Sequence, residues 1–196
     1  RLCSSAASDV YKRQDLLFIV SSTDGHTLKI CEEMKDQLDE SLEAQIISIE
    51  DAPKLNISDH KKVVIGASIR YGKHNKKLFD YIDQNLDFLN SGQHAFFTVN
   101  VVARKPEKNE PETNPYMQKF LKISNWKPAK LGVFAGKINY SQYGFFDKHI
   151  IRFIMWIGKG PTDLKGEFEF TNWDEVKLFS NSCLLYTSDA ADEHRR

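Results

Sequence analysis

Apolar residues recur along the chain in two alternating rhythms. Leu16-Leu17-Phe18-Ile19-Val20 run without interruption into Ser21-Ser22-Thr23-Asp24-Gly25-His26-Thr27, which predicts a buried strand ending in a turn that opens a helix. Residues 27–41 then place Leu28, Ile30, Cys31, Met34 and Leu38 at mainly helical spacing with charges between them, so an amphipathic helix is expected. The alternation continues with strands predicted at 44–51, 62–68, 94–102 and 130–136, and helices at 75–90 and 115–124. "KVVIGAS", the third strand, is apolar almost throughout, as befits a strand covered on both faces. Strand and helix in alternation specify an α/β sandwich around a parallel sheet.

One stretch exceeds this unit. Residues 137–170 form a long late insertion containing "FFDKHIIRFIMWIG" at 145–158, whose apolar residues cover more than one helical face. Such a helix either packs on the core or presents a surface to a membrane or a membrane-soluble partner. After it, Thr171-Asn172-Trp173-Asp174 reads as a capping box opening a last helix.

Composition narrows the class without naming a function. The 41% hydrophobic and 28% charged residues of this 196-residue chain are those of a globular domain, and 27 Lys and Arg against 27 Asp and Glu leave no footprint for nucleic acid. Residues 1–14 and 182–196 lack periodicity and read as non-native tails, leaving 15–181 as one domain. That removes Cys3 and Cys183 from the count, so Cys31 stands alone, no disulfide framework is expected, and a reducing cytoplasm fits. The histidines show no paired metal-ligand spacing, and no apolar run reaches the roughly 18–20 residues of a spanning helix.

In an open parallel sheet, ligands sit at the carboxyl ends of the strands where strand order reverses. Ser22, Thr23, Asp24, Gly25, His26 and Thr27 offer backbone N–H groups and hydroxyls at a helix N-terminus, a combination that either caps the helix or holds a phosphate. Neither Gly-x-Gly-x-x-Gly nor Gly-x-x-x-x-Gly-Lys-Ser/Thr occurs, so dinucleotide and NTPase readings lack their glycines. The loop after the third strand sets Tyr71 beside Gly72, and the loop after the fourth combines Asn100 with Arg104, Lys105 and Lys108. Aromatic and amide contacts beside a phosphate loop suit a planar phosphorylated cofactor such as FMN.

"STDGHT", "VVIGASIRYGKH", "VNVVARKPEK", "TNPYMQKFL" and the Gly136, Tyr140, Tyr143, Asp147, Ile154-Met155 pattern resemble the flavodoxin-fold, quinone-dependent protoporphyrinogen IX oxidase family of bacteria, over nearly all of 16–180. The resemblance implies a doubly wound five-stranded sheet in order 2-1-3-4-5, with FMN at its carboxyl edge. It also implies oxidation of protoporphyrinogen IX to protoporphyrin IX in haem biosynthesis, with a membrane quinone as acceptor. By that carry-over Ser22 to Thr27 take the phosphate, while Ser68, Ile69, Arg70, Tyr71 and Gly72, with Asn100, Val101, Val102, Ala103 and Arg104, border the ring. Arg70, Arg104 and Lys105 either meet the porphyrinogen propionates or are solvated surface charges, and 145–157 is the segment that would touch the inner face of the cell membrane from the cytoplasm. The family's loop commonly carries a basic residue near Thr23, absent here. Two other functions remain open on sequence: a flavodoxin-type electron carrier and an FMN-dependent NAD(P)H:quinone reductase.

Overall fold

The computed structural model describes residues 14–158 and 160–185. Its apolar runs form β1 (Gln14–Ser21), β2 (Ala44–Ser48), β3 (His60–Ser68), β4 (Ala95–Asn100) and β5 (Lys130–Ala135). All neighbours pair in parallel, in the order β2-β1-β3-β4-β5, and Ile19 aligns with Ile47 on one side and Ile65 on the other. Helices α1 (His26–Asp36), α2 (Lys76–Gln84), α3 (Leu86–Ser91), α4 (Pro115–Ile123), α5 (Phe145–Ile157) and α6 (Trp173–Leu185) complete the domain with a short β6 (Lys137–Asn139) and β7 (Glu167–Glu169).

Both faces of the sheet are covered, which is why its strands read as runs and not as alternations. Leu17, Ile19, Val63 and Ile65 pack with Leu78 of α2, Leu89 of α3 and Met117 and Phe120 of α4. Their neighbours Leu16, Phe18, Val20 and Val64 pack with Ile30 and Met34 of α1 and Val176 and Phe179 of α6. Each fully buried side chain of this size contributes about 1.5–3 kcal/mol relative to exposure. The Phe96 and Phe120 rings stack at a centroid separation of 3.8 Å, joining β4 to α4.

Several boundaries differ from the sequence expectation for local polar reasons. The helix expected over 75–90 breaks at Asn85, whose Nδ2 donates to the Tyr81 carbonyl. The second strand stops at Ser48, where the Ser48 hydroxyl and carbonyl both accept from the Asp51 N–H. β4 stops at Asn100, whose Oδ1 accepts from the Ala103 N–H and turns the chain into a short 3-10 helix over Val101–Arg104. The predicted capping box does not form: Asn172 Oδ1 accepts from the Asp174 N–H, because the Thr171 hydroxyl is engaged elsewhere. The last helix runs on to Leu185, past the boundary at 181, and buries Cys183 in the second core. Residues 1–13 and 186–196 of the two expected tails lie outside the described residues.

The insertion is a small layer of its own. β6 and β7 pair antiparallel, and Ile138, Tyr140 and Met155 form a minor core with Phe168 against them. Met155 is the one fully buried residue of α5, so this helix is not an ordinary core helix. No helix among the described residues is long and apolar enough to cross a membrane.

Candidate functional site

The carboxyl ends of β1, β3 and β4 and the inner face of α5 enclose a cavity of about 430 Å³. That lies within the range of roughly 300–1,000 Å³ typical of small-ligand sites. Its phosphate-ready end is built by the turn from β1 into α1. Gly25 occupies the N-cap position with φ +79°, a left-handed conformation that glycine adopts without a Cβ penalty, and no side chain caps the helix. The first-turn N–H groups of α1 therefore lack a side-chain acceptor. Beside them, the Ser22 Oγ and Thr27 Oγ1 atoms are buried without a hydrogen-bond partner among the described residues. Two orphaned hydroxyls at an uncapped helix N-terminus are the arrangement a phosphate would complete.

His26, the first residue of α1, faces the same cavity. Thr171 donates its hydroxyl proton to the Ala135 carbonyl at 2.8 Å, so its oxygen accepts from His26 Nε2–H at 2.6 Å. Burial lowers the His26 pKa, which favours the neutral ring, and the Thr171 acceptor favours the proton on Nε2.

The loop after β3 forms a two-residue hairpin. Arg70 and Lys73 exchange N–H to carbonyl bonds of 3.0 Å, and the two central residues have positive φ, +49° at Tyr71 and +73° at Gly72. Glycine accepts this freely, whereas an aromatic residue held there costs about 1–3 kcal/mol, strain that marks functional sites. Tyr71 is 66% exposed and lines the cavity. Arg70 donates from Nη1 to Asp24 Oδ1 at 2.8 Å and from Nη2 to Asp147 Oδ2 at 3.0 Å, and the Tyr71 hydroxyl donates to Asp147 Oδ1 at 2.6 Å. Tyr143, whose pKa is pushed up to about 12 by burial and by Asp24, keeps its proton and directs its hydroxyl to Asp24 Oδ2.

Ser22, Asp24, His26, Thr27, Ser68, Ile69, Arg70, Tyr71, Gly72, Asn100, Val101 and Val102, all offered by the sequence as candidate cofactor contacts, line the cavity. Gly25 faces a smaller adjoining cavity instead, Thr23 is exposed, and Ala103 is buried beneath the loop. Arg104 and Lys105 do not line the cavity, a correction to their expected place beside a substrate. The Arg104 guanidinium is taken up by two carbonyls, of Val101 at 3.0 Å and of Gly158 at 2.6 Å, where it tethers the C-terminal end of α5. Val99, Tyr116, Gly136, Lys137, Ile138, Tyr143, Ile150, Ile151, Ile154 and Met155, none of them among the expected cofactor contacts, complete the wall. Tyr143, Ile154 and Met155 belong to the pattern that carries the resemblance, which is the signal in the sequence that could place them at the site.

A parallel sheet in this order, with an anion-ready β1–α1 turn and an exposed aromatic at the β3 loop, defines a flavodoxin-like domain. A family model for the flavodoxin domain matches residues 17–165. A protoporphyrinogen IX dehydrogenase (quinone) of Leishmania major is 41% identical over 167 residues, covering 84% of this chain and 72% of that protein. The protein of the same name from Escherichia coli K12 is 36% identical over 165 residues, covering 84% and 91%. An archaeal flavodoxin structure superposes with a TM-score of 0.41 at 16% identity, over 61% of this chain and 82% of that one. The chain belongs to the flavodoxin-domain family of quinone-type protoporphyrinogen IX dehydrogenases, and its cofactor class is a flavin.

Proposed function

We propose that this protein binds FMN and oxidises protoporphyrinogen IX to protoporphyrin IX with a membrane quinone as the acceptor. The observation that carries the cofactor is the pair of buried, unpartnered hydroxyls of Ser22 and Thr27 at the uncapped start of α1. The residues fit the group: a phosphate at that turn would satisfy both hydroxyls and the free N–H groups, and Ser68 to Gly72 with Asn100 to Val102 would border a planar ring. The chemistry supplied by bound FMN is acceptance of two electrons in each dehydrogenation and their release to quinone.

The chain's own groups bind, orient and exclude water. Ile150, Ile151, Ile154 and Met155 give the cavity an apolar roof, suited to a tetrapyrrole and to a quinone ring. Of the three cations expected to meet propionates, Arg70 reaches the cavity, and its guanidinium retains donors beyond those given to Asp24 and Asp147. The outer face of α5 supports attachment to a membrane. Phe145, Phe146, Phe153, Trp156 and Ile157 are exposed there, beside Lys148, His149 and Arg152. Lys159, a further cation just past this helix in the sequence, lies outside the described residues. An apolar helix face flanked by cations binds anionic bilayers reversibly.

Anaerobic addition of protoporphyrinogen IX to the FMN-loaded protein is expected to bleach the flavin, and a quinone to restore its colour. Bleaching by NADH in place of the porphyrinogen would reassign the protein to nicotinamide-dependent quinone reduction. Flotation with anionic liposomes, compared between wild type and a Phe153→Ser, Trp156→Ser variant of equal thermal stability, tests the membrane contact. Equal flotation of the two would remove it.

A further inference from the structure

We propose that Asp147 is a positioning residue that seats the Tyr71 ring and so couples the insertion helix to the flavin. The inference rests on the FMN reading above and adds a residue outside the cavity lining. Asp147 stands in the first turn of α5. One of its carboxylate oxygens accepts the Tyr71 hydroxyl at 2.6 Å and the other accepts from Arg70 Nη2 at 3.0 Å. The Arg70 carbon Cζ lies 5.2 Å from the centre of the Tyr71 ring and 5.9 Å from that of Tyr143. One carboxylate thus fixes the tip of the aromatic ring and the cation against its face.

Tyr71 needs such a restraint. Its backbone sits at φ +49°, a conformation disfavoured for an aromatic residue, and the residue is largely exposed. The hairpin bonds between Arg70 and Lys73 fix the backbone but leave the ring direction undetermined. The side-chain direction is set by the bond to Asp147, an acceptor contributed from 76 residues further along the chain. Through Arg70, the same carboxylate is connected to Asp24 in the phosphate-end turn. Movement of α5 at its N-terminal end is therefore transmitted to the aromatic wall and to the loop that holds the phosphate.

The test compares FMN-loaded wild type with Asp147→Ala, Asp147→Asn, Tyr71→Phe and the Asp147→Ala, Tyr71→Phe double variant. Flavin emission reports ring stacking, and kcat and KM for protoporphyrinogen IX report coupling to turnover. Asp147→Ala is expected to retain FMN, raise flavin emission and lower kcat/KM about tenfold, the factor attached to one charge-assisted hydrogen bond. Asp147→Asn should recover much of the emission change, because its amide oxygen still accepts the Tyr71 hydroxyl. Tyr71→Phe breaks the same bond from the other side and should reproduce the spectral change, with the double variant no worse than either single one. Wild-type emission in Asp147→Ala, or a silent Tyr71→Phe beside an altered Asp147→Ala, would overturn the proposal. If wild type binds FMN but leaves the porphyrinogen unoxidised, the substrate assignment fails while the emission series still decides the role of Asp147. A wild type that binds no FMN overturns both.

Discussion

Replacing the Ser22 and Thr27 hydroxyls should move stability and cofactor affinity in opposite directions. Ser22 Oγ and Thr27 Oγ1 are buried without a partner among the described residues. An unsatisfied buried hydroxyl costs about 1–3 kcal/mol in desolvation, so Ser22→Ala and Thr27→Val each remove a penalty at little cost in volume. The apoprotein is therefore expected to gain about 1 kcal/mol per substitution, read as a higher urea midpoint at unchanged m-value. With cofactor present the balance reverses. A hydrogen bond to a charged phosphate oxygen is worth about 1.5–3 kcal/mol, which corresponds to a loss of roughly 10- to 150-fold in FMN affinity for each hydroxyl removed. Titration of apoprotein into FMN, followed by flavin emission, measures that loss, and riboflavin provides the control because it lacks the phosphate. Riboflavin affinity should stay constant in both variants. Loss of apoprotein stability, or FMN affinity equal to that of wild type, would refute the phosphate assignment of the β1–α1 turn.

Two further expectations concern buried polar groups. His74 and His94 both have pKa values lowered from 6.5 to about 4, chiefly by burial, and unfolded histidine protonates near 6.5. Between those values the unfolded chain binds more protons, so stability rises with pH, and acidification from pH 7 to 4 should cost about 3 kcal/mol per imidazole. Urea unfolding across that window should show a shallower pH dependence in His74→Leu than in wild type, and an identical dependence would contradict the burial argument. Arg104→Ala should leave FMN affinity intact but speed amide hydrogen exchange at the C-terminal end of α5, because the Gly158 carbonyl loses its tether. Unchanged exchange there would mean that the tether does not hold the helix.

The sheet was legible because parallel strands buried on both faces leave continuous apolar runs, and the run into Ser21–Thr27 marked the turn where a ligand can sit. Helix and strand ends were less legible, since they depend on single side chains such as Asn85 and Asn100 competing for nearby backbone groups. The cations were the hardest to read. Arg70 and Arg104 follow strands three and four, where a substrate was expected, yet one partner of Arg70 lies 77 residues away and one partner of Arg104 lies 54 residues away. Local sequence carries no record of such pairings. His26 was assigned to the phosphate turn, but its bond to Thr171 spans 145 residues and was equally hidden.

The two arginines have a common physical reason for these positions. α5 buries one side chain fully, and the minor core around Ile138 and Tyr140 is too small for burial alone to fix the helix over the cavity. A helix that keeps its aromatic outer face exposed has to be held at its ends. Arg70 does so through Asp147 in the first turn, where a carboxylate is also favoured by the helix dipole, and Arg104 does so at Gly158, where a cation is favoured by the opposite pole. These ion pairs and carbonyl contacts are only partly buried, so each contributes modestly and the pair can be remade. Under the proposed function this is a useful property: the helix that roofs the site is also the one whose exposed face meets the bilayer.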